Sequence, residues 1–541
     1  MEKIDAKLIN DIFDKTSEQR TKFEYRWYLT DNFYENNHFL KALRTTGTLE
    51  KVKFPKGISV EPIPRAKKQI DTMLNLLFLN DPKWQVYPYE LDEKSADNAM
   101  RLQKFFEILW NALQIKEQFR KVAFNAMKHN VGYLEVGMDE AGRLFLDRYS
   151  AYQIYHEPNI EDLDETHFLI KVVPKTINEL ENSKIYDQGV VKDLTPDYKY
   201  SSSEYKHIRE SEKFGSQSEI KDKRLQKVLL KEVWLKDGDQ WYLTTECQGK
   251  ILRQPTKIDY SLTFVAVTIN EGQIYQTSLL EDSIPMNKKI DIIVAYLEQF
   301  FKVCTVGRLL EPAGAKVERI LDQHGERIRY QGPQPPVWLE SPQLSPVVIN
   351  LLQLLINFMD EKGASVMSFG KVPTGVKAWR ALESLKQIEV SNLQTAIDHL
   401  TGAMEKLGYK ILEIIETGAV NPIPFVYQDK NEFKQISAVS QNAYEVNYEY
   451  QSQESILPVS SKYRIKVEIE QGIAYTEEGK RQTVIELAKS GLIDKQTALE
   501  SLKFSNVGEI VERSKQEAEL KTMLESLKGV PKKEENILQQ I

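Results

Sequence analysis

Few residues in the 541-residue chain have the types and spacing that chemistry needs. The stretch nearest to a phosphate cradle is Gly370-Lys371-Val372-Pro373-Thr374-Gly375-Val376-Lys377. A P-loop needs GxxxxGK[ST] after a strand, so that successive backbone N–H groups wrap a phosphate while the lysine reaches it. Here the lysine comes one place late and Ala378 stands where the hydroxyl residue belongs. Pro373 interrupts the loop, and a helical pattern precedes it. These departures argue against nucleotide binding. The seven histidines (His38, His129, His156, His167, His207, His324 and His399) include no i, i+4 pair. No HExxH, GxSxG or GxGxxG pattern occurs. The acidic run Glu161-Asp162-Leu163-Asp164-Glu165 has oxygens for a cation but lacks the spaced set of an EF-hand. A solvated loop is the expectation there. Cys247 and Cys304 form neither a CxxC nor a metal-ligand spacing, so two reduced thiols are expected. No catalytic residue, metal ligand or cofactor is assigned, and the chain is not expected to be an enzyme.

Charge balance narrows the partners. Lys plus Arg is 72 and Asp plus Glu is 79, a net charge of −7. Tight coating of nucleic acid needs a cationic surface, so this balance argues against a DNA gripper. It leaves room for a protein that lets DNA pass. At 41% hydrophobic and 28% charged residues, a folded chain of several domains is expected rather than a disordered one. Residues 1–5 lack the apolar core of a signal peptide. The most apolar helical stretch, 347–359, is interrupted by Asn350, Gln353 and Asn357 and falls short of the ~20 residues that a membrane span requires. A soluble, intracellularly made protein with no membrane contact is the expectation.

The elements that would position any site follow from periodicity. Residues 1–45 read as helix, with Phe23, Trp27, Phe33, Tyr34 and Phe39 interleaved with Arg20, Lys22 and Arg26. Packing of an amphipathic helix explains that pattern better than nucleic-acid binding. A loop is expected over 46–64, and a helix over 65–79 with Ile70, Leu74 and Leu77 on one face. Next come a strand at 84–88 and one long helical region over 92–129, ended by Gly132. Residues 133–136 and 143–147 form a hairpin signal, and 149–173 continue as strands and loops. The polar stretch 182–224 reads as a surface insertion. A β-meander at 228–235, 241–245 and 250–253 follows, and 262–269 reads as a buried strand.

The character then changes. Ser283 and Pro285 suggest a helix start, with the helix running to about residue 309. Its polar residues, Lys288, Asp291, Glu298, Lys302 and Thr305, fall on one stripe. Residues 311–344 are Pro/Gly-rich, with candidate strands at 315–321, 327–330 and 337–339. Ser345-Pro346 starts a second helix to about 367, whose polar residues Asn350, Gln353, Asn357 and Asp360 again form one thin stripe. A surface helix usually buries one apolar stripe and leaves the rest polar. These two leave only a thin polar stripe. Either they form a core hairpin whose stripe is bonded internally, or they pack against neighbouring copies in a ring and show the stripe to a water-filled channel. Residues 368–375 break the helix. A long helix over 376–416 carries the seam Leu393, Ile397, Leu400, Met404, Leu407, Ile411 and Ile414, with Gly402 and Gly408 as candidate bends. Residues 422–470 return to β character, and three helices are expected from 476 onward.

This order of elements resembles that of portal proteins of tailed bacteriophages. The resemblance lies in Arg26-Trp27-Tyr28-Leu29-Thr30-Asp31-Asn32-Phe33-Tyr34-Glu35, in residues 65–88 followed by Asp97-Asn98-Ala99, and in Val131-Gly132-Tyr133-Leu134-Glu135-Val136. It continues in Tyr275-Gln276-Thr277-Ser278-Leu279-Leu280 leading into Pro285-Met286-Asn287, and in residues 372–378 leading into Leu382. The resemblance implies an α+β fold in which 1–280 form a mixed α/β wing and 281–310 and 345–367 the two stem helices. It makes 311–344 a small β-rich clip, 368–375 a tunnel loop, 376–470 a long helix with the remaining wing, and 471–541 a helical crown. The 182–224 insertion is assigned no role. It implies a homo-oligomeric ring, commonly a dodecamer, at one capsid vertex of a virion assembled in the host cytoplasm. Genomic double-stranded DNA would pass through without sequence-specific contact. The terminase large subunit, a head-to-tail adaptor, and the major capsid and scaffolding proteins would be its partners. The expected channel residues are Asn350, Gln353, Asn357, Asp360, Lys371, Val372, Pro373 and Thr374. Arg327, Arg329, Tyr330 and Trp338 are the expected clip contacts. Another virion structural or adaptor protein, or an enzyme acting on DNA ends, are the alternatives.

Overall fold

A computed structural model describes residues 4–42, 49–55, 58–78, 82–89, 93–139, 143–195, 226–305, 308–310, 316–317, 330–331, 337–339, 343–362, 394–416, 423–429, 432–438, 463–469, 484–485 and 488. The chain divides into a larger unit (1–372 with 389–468) and a smaller one (373–388 with 469–541). Nearly all of the smaller unit, with its expected C-terminal helices, lies outside the described residues, and so do residues 368–375, expected as a tunnel loop. The larger unit is of mixed α+β class.

Helix α1 (Ala6–Tyr34) starts where the Asp5 carboxylate accepts from the Leu8 backbone N–H at 2.8 Å, satisfying one open donor of the first turn. It stops eleven residues short of the expected end at 45. Asn36 takes a left-handed φ of 67°, which asparagine tolerates better than most residues. Strand β1 (Leu40–Ala42) then pairs antiparallel with β2 (Leu49–Lys51), so part of the expected helix and loop is a short ribbon. Helix α2 (Arg65–Leu77) buries Ile70, Leu74 and Leu77 as expected, and β3 (Pro82–Pro88) follows. The long helix expected over 92–129 is two helices, α3 (Glu93–Ala112) and α4 (Ile115–His129). Gln114 breaks them with a φ of 50°. Asn130, with a φ of 67°, ends α4, and not Gly132. Gly132 lies within β4 (Val131–Met138), where a Cβ would stand 2.8 Å from both the Val122 side chain and its carbonyl oxygen. The glycine lets the strand lie against α4.

Strands β5 (Leu144–Tyr149), β6 (Ile154–His156) and β7 (Phe168–Thr176) come next, followed by short helices α5 (Ile177–Asn182) and α6 (Gln188–Val191). The first part of the expected polar insertion is therefore folded: Val191 and Leu194 are buried with Leu180 against Val228 and Leu230. From 196 to 225 the insertion lies outside the described residues. The meander is β8 (Lys227–Asp237), β9 (Gln240–Cys247) and β10 (Lys250–Ile258), turning at Gly238 and Gly249 with positive φ, and β11 (Phe264–Thr268) follows. Two sheets result, one in the order β10-β9-β8-β7-β6 and one in the order β11-β4-β5. All their pairings are antiparallel. Lys171 of the first sheet reaches Glu135 of the second at 2.8 Å and Glu232 at 2.5 Å. One ammonium serves two carboxylates, Glu135 buried and Glu232 partly so. Burial pushes the Glu135 carboxyl up, whereas for Glu232 the lysine charges outweigh burial and hold it low.

The core under α1 gathers Phe23, Trp27, Tyr133, Tyr152, Trp234, Trp241 and Phe264. Arg20 is buried, donates to Glu24 and to the carbonyls of Ala151, Tyr152 and Ile154, and stacks on the Tyr155 ring at 3.4 Å. Phe23, Trp27, Phe33 and Arg20 of α1 thus build the core, as the packing reading expected, while Lys22 is exposed.

Helix α7 (Leu279–Thr305) leads through β12 (Arg308–Leu310), β13 (Lys316–Val317), β14 (Tyr330–Gln331) and β15 (Val337–Leu339) into α8 (Pro346–Lys362). Helix α9 (Gln394–Glu416) packs on β11, β4 and β3. It buries Ala396, Ala403, Leu412 and Ile415 besides Leu400, Met404, Leu407, Ile411 and Ile414 of the predicted seam, so its apolar face is a broad one laid on strands and not a narrow coiled-coil seam; Leu393 lies outside the described residues. The helix runs through both candidate bends. At Gly408 a Cβ would come within 3.2 Å of Ile465, so this glycine permits a close approach. The acidic run, expected as a solvated loop, pairs with α9: Asp162 with Lys406, and Asp164 with Lys410 at 3.6 Å. Lysines occupy the place of a cation. Strands β16 (Ile423–Asp429) and β17 (Glu432–Ala438) form a hairpin, and β18 (Tyr463–Ile469) pairs with β3. Cys247 and Cys304 are not disulfide-bonded, and the Cys247 thiol donates to the Leu229 carbonyl at 3.3 Å.

Candidate functional site

Helices α7 and α8 pack against each other, and the strands between them are nested: β12 pairs antiparallel with β15, and β13 with β14. The result is a helical hairpin with a β tip. Helix α8 begins where the Ser345–Pro346 pattern puts it, with the Ser345 carbonyl accepting from Val348 N at 3.1 Å. Helix α7 starts earlier than expected. Ser278, and not Ser283, caps it, its hydroxyl accepting from Glu281 N at 3.2 Å, and Pro285 lies inside the helix. The helix ends at Thr305, because the residues expected as its last turn form β12.

The faces of α8 differ in chemistry. Val347, Leu351, Leu354 and Phe358 recur at steps of 4, 3 and 4 and so share one side. They are 70%, 47%, 47% and 44% exposed. Asn350, Gln353 and Asn357 lie about 100° round the helix from them, at ~100° per residue. All three are exposed, and Gln353 Nε2 donates to Asn357 Oδ1 at 3.1 Å. Roughly opposite that polar stripe, the side carrying the buried Met359 turns inward. Ile349, also exposed, flanks the stripe on its other side. On α7, Tyr296 and Phe301 are exposed too. The hairpin thus shows an uncharged polar stripe bordered by apolar side chains.

Asp360 departs from the expected stripe. Its carboxylate pairs with Arg65 Nη2 at 2.5 Å, with side-chain exposures of 30% for the arginine and 14% for the aspartate. It fastens α8 to α2 and does not join the other three. Asp291, expected in the polar stripe of α7, is buried. One carboxylate oxygen accepts from Ile63 N at 3.0 Å, and the other meets His38 Nδ1 at 2.6 Å. One turn earlier, Asn287 Oδ1 accepts from Ala66 N at 2.9 Å and Asn287 Nδ2 donates to the Ile63 carbonyl at 3.0 Å. Pro64 precedes α2 and supplies no side-chain cap. Asn287 and Asp291 therefore cap α2 from another helix, satisfying backbone donors that would otherwise be left open. Gln69 of α2 donates to the Met359 carbonyl. Arg26 of α1 grips Glu281 at 2.7 and 2.9 Å and Thr277 at 2.7 Å. Asn287, His38, Arg65 and Gln69 were not singled out from sequence. A signal existed: a proline with no capping side chain before α2, and two short polar side chains, Asn287 and Asp291, at i, i+4 beside the apolar Ile290, Ile292 and Ile293 of α7.

Of the other expected site residues, Lys371, Val372, Pro373, Thr374, Arg327 and Arg329 lie outside the described residues. Tyr330 stands opposite Val317 in the inner strand pair and Trp338 opposite Leu309 in the outer pair. Among the described residues, no group of three His, Cys, Asp or Glu side chains could hold a metal ion, and no helix is long and apolar enough to cross a membrane. No family model matches the chain, and no curated protein matches it closely enough to count as a relative.

Proposed function

We propose that the chain is the subunit of a portal-type ring at one vertex of a tailed-phage capsid, through which double-stranded DNA is packaged and ejected. The observation that carries the reading is the surface of α8. Four apolar side chains in register stay largely exposed beside an uncharged polar stripe, which a lone chain has no reason to keep. In a ring each hairpin would bury its apolar flanks against its neighbours, leaving Asn350, Gln353 and Asn357 toward the lumen. Amides contact phosphate weakly and release few counterions, so a duplex could slide past them. The terminase, and later a head-to-tail adaptor, would dock on the β tip. The capsid and scaffolding proteins would hold the ring at its vertex.

The test is to give the stripe charge. Asn350→Lys, Gln353→Lys and Asn357→Lys together would place three cations per subunit in the lumen. Rings of this variant are expected to retain DNA with a steep salt dependence that the parent lacks. If DNA retention and its salt slope match the parent while the rings form normally, the stripe does not face the DNA path.

A further inference from the structure

We propose that the hairpin is anchored unequally, with α7 fixed and α8 releasable, and that the Arg65–Asp360 pair is the catch. Helix α7 is held from inside the fold. Asn287 and Asp291 are fully buried and bind the backbone at Ile63 and Ala66, and His38 closes on Asp291 from the far side. Ile290 and Ala295 of the same helix are buried as well. Breaking that set leaves buried polar groups without partners, which makes it slow to open. Helix α8 is held differently. Met359 is its one buried residue among those described. Its polar ties to α2 are the Gln69 hydrogen bond to Met359 and the Arg65–Asp360 pair, both in its C-terminal half. Water and salt reach that pair, and ion pairs so placed are weak and screened.

Unequal anchoring makes α8 the element that moves. When the catch opens, α8 and its polar stripe shift against a stationary α7, and the surface offered to anything passing the hairpin changes. That consequence rests on the ring reading; the unequal anchoring stands on the contacts alone. Hydrogen–deuterium exchange on the full chain separates the two helices. Asp360→Asn and Arg65→Gln are each expected to speed exchange across 346–362 about three- to tenfold while 287–305 stay unchanged, as loss of one partly exposed ion pair implies. High salt should do the same to the parent and add little to either variant. Asp291→Asn, by contrast, should speed exchange in α7 and at Ile63 and Ala66. Equal acceleration of both helices in Asp360→Asn, or an α8 that responds to neither substitution nor salt, overturns the proposal. Particle mass measured on the same samples keeps the two readings apart. A protein that stays monomeric with unequal exchange removes the ring and leaves the catch, and a ring with equal exchange does the reverse.

Discussion

Replacing Leu351 and Leu354 by glutamine should weaken assembly far more than folding. Each side chain is 47% exposed in the single chain, so about half of its surface is left for a neighbour to cover. Full burial of a leucine contributes about 1.5–3 kcal/mol, so the exposed half is worth about 1 kcal/mol each. Two substitutions then remove about 2 kcal/mol per subunit contact, or roughly a thirtyfold loss in contact affinity. Every contact of a ring carries the same loss, so the protein concentration needed for assembly rises steeply. Glutamine is nearly as good a helix former as leucine, and its stem still covers part of the apolar surface that leucine covers, so the chain itself should lose no more than ~1–2 kcal/mol. Sedimentation velocity across a concentration series reads assembly, and thermal unfolding of dilute, unassembled protein reads the fold. A large drop in melting temperature with assembly intact would refute the reasoning, because the two leucines would then belong to the chain's own core.

Other outcomes follow from the same contacts. Gly132→Ala should destabilise the larger unit by about 1–3 kcal/mol, since its Cβ would press on Val122 at 2.8 Å. Gly402→Ala, where a Cβ meets nothing within 4 Å, should gain ~0.5–1 kcal/mol; paired thermal melts check both. For Asp31, burial pushes the carboxyl up, but His129 and Lys128, hydrogen-bonded at 2.9 and 2.6 Å, outweigh it and hold the group well below the usual carboxylate range. A depressed folded-state value means stability that is complete above the ordinary carboxylate range and is lost as pH falls below it. Asp31→Asn should therefore flatten the acid limb of the unfolding profile and cost about 3 kcal/mol at neutral pH. On the proposed ring reading, Trp338→Ala should leave ring formation intact and abolish binding of a head-to-tail adaptor in a pull-down; loss of both would make Trp338 part of a contact between copies.

What the sequence made legible was local. The Ser345–Pro346 helix start, the β4–β5 hairpin, the meander and the amide stripe of α8 (Asn350, Gln353 and Asn357) could be read from neighbouring residues alone. What escaped depends on partners far along the chain. The break at Gln114 left a trace that was overlooked: Ile115, Phe119 and Val122 of α4 are out of phase with Leu102, Phe105 and Leu109 of α3. Gly132 and Gly408 read as a stop and a bend, since only the approach of Val122 or Ile465 explains them. Asp291 and Asp360 fitted their stripes by spacing, yet periodicity cannot tell a side chain turned to water from one that caps a distant helix or pairs with a distant arginine. For the same reason the sequence left open whether the hairpin was a core or an interface, and the exposure of Val347, Leu351, Leu354 and Phe358 favours the interface.

The most direct test of the account is the mass of the assembled particle, measured by native mass spectrometry together with negative-stain images of the same sample. The account predicts one closed ring of defined copy number with a central channel. A chain that stays monomeric under every assembly condition, or that forms open filaments or an unpierced aggregate, would contradict it.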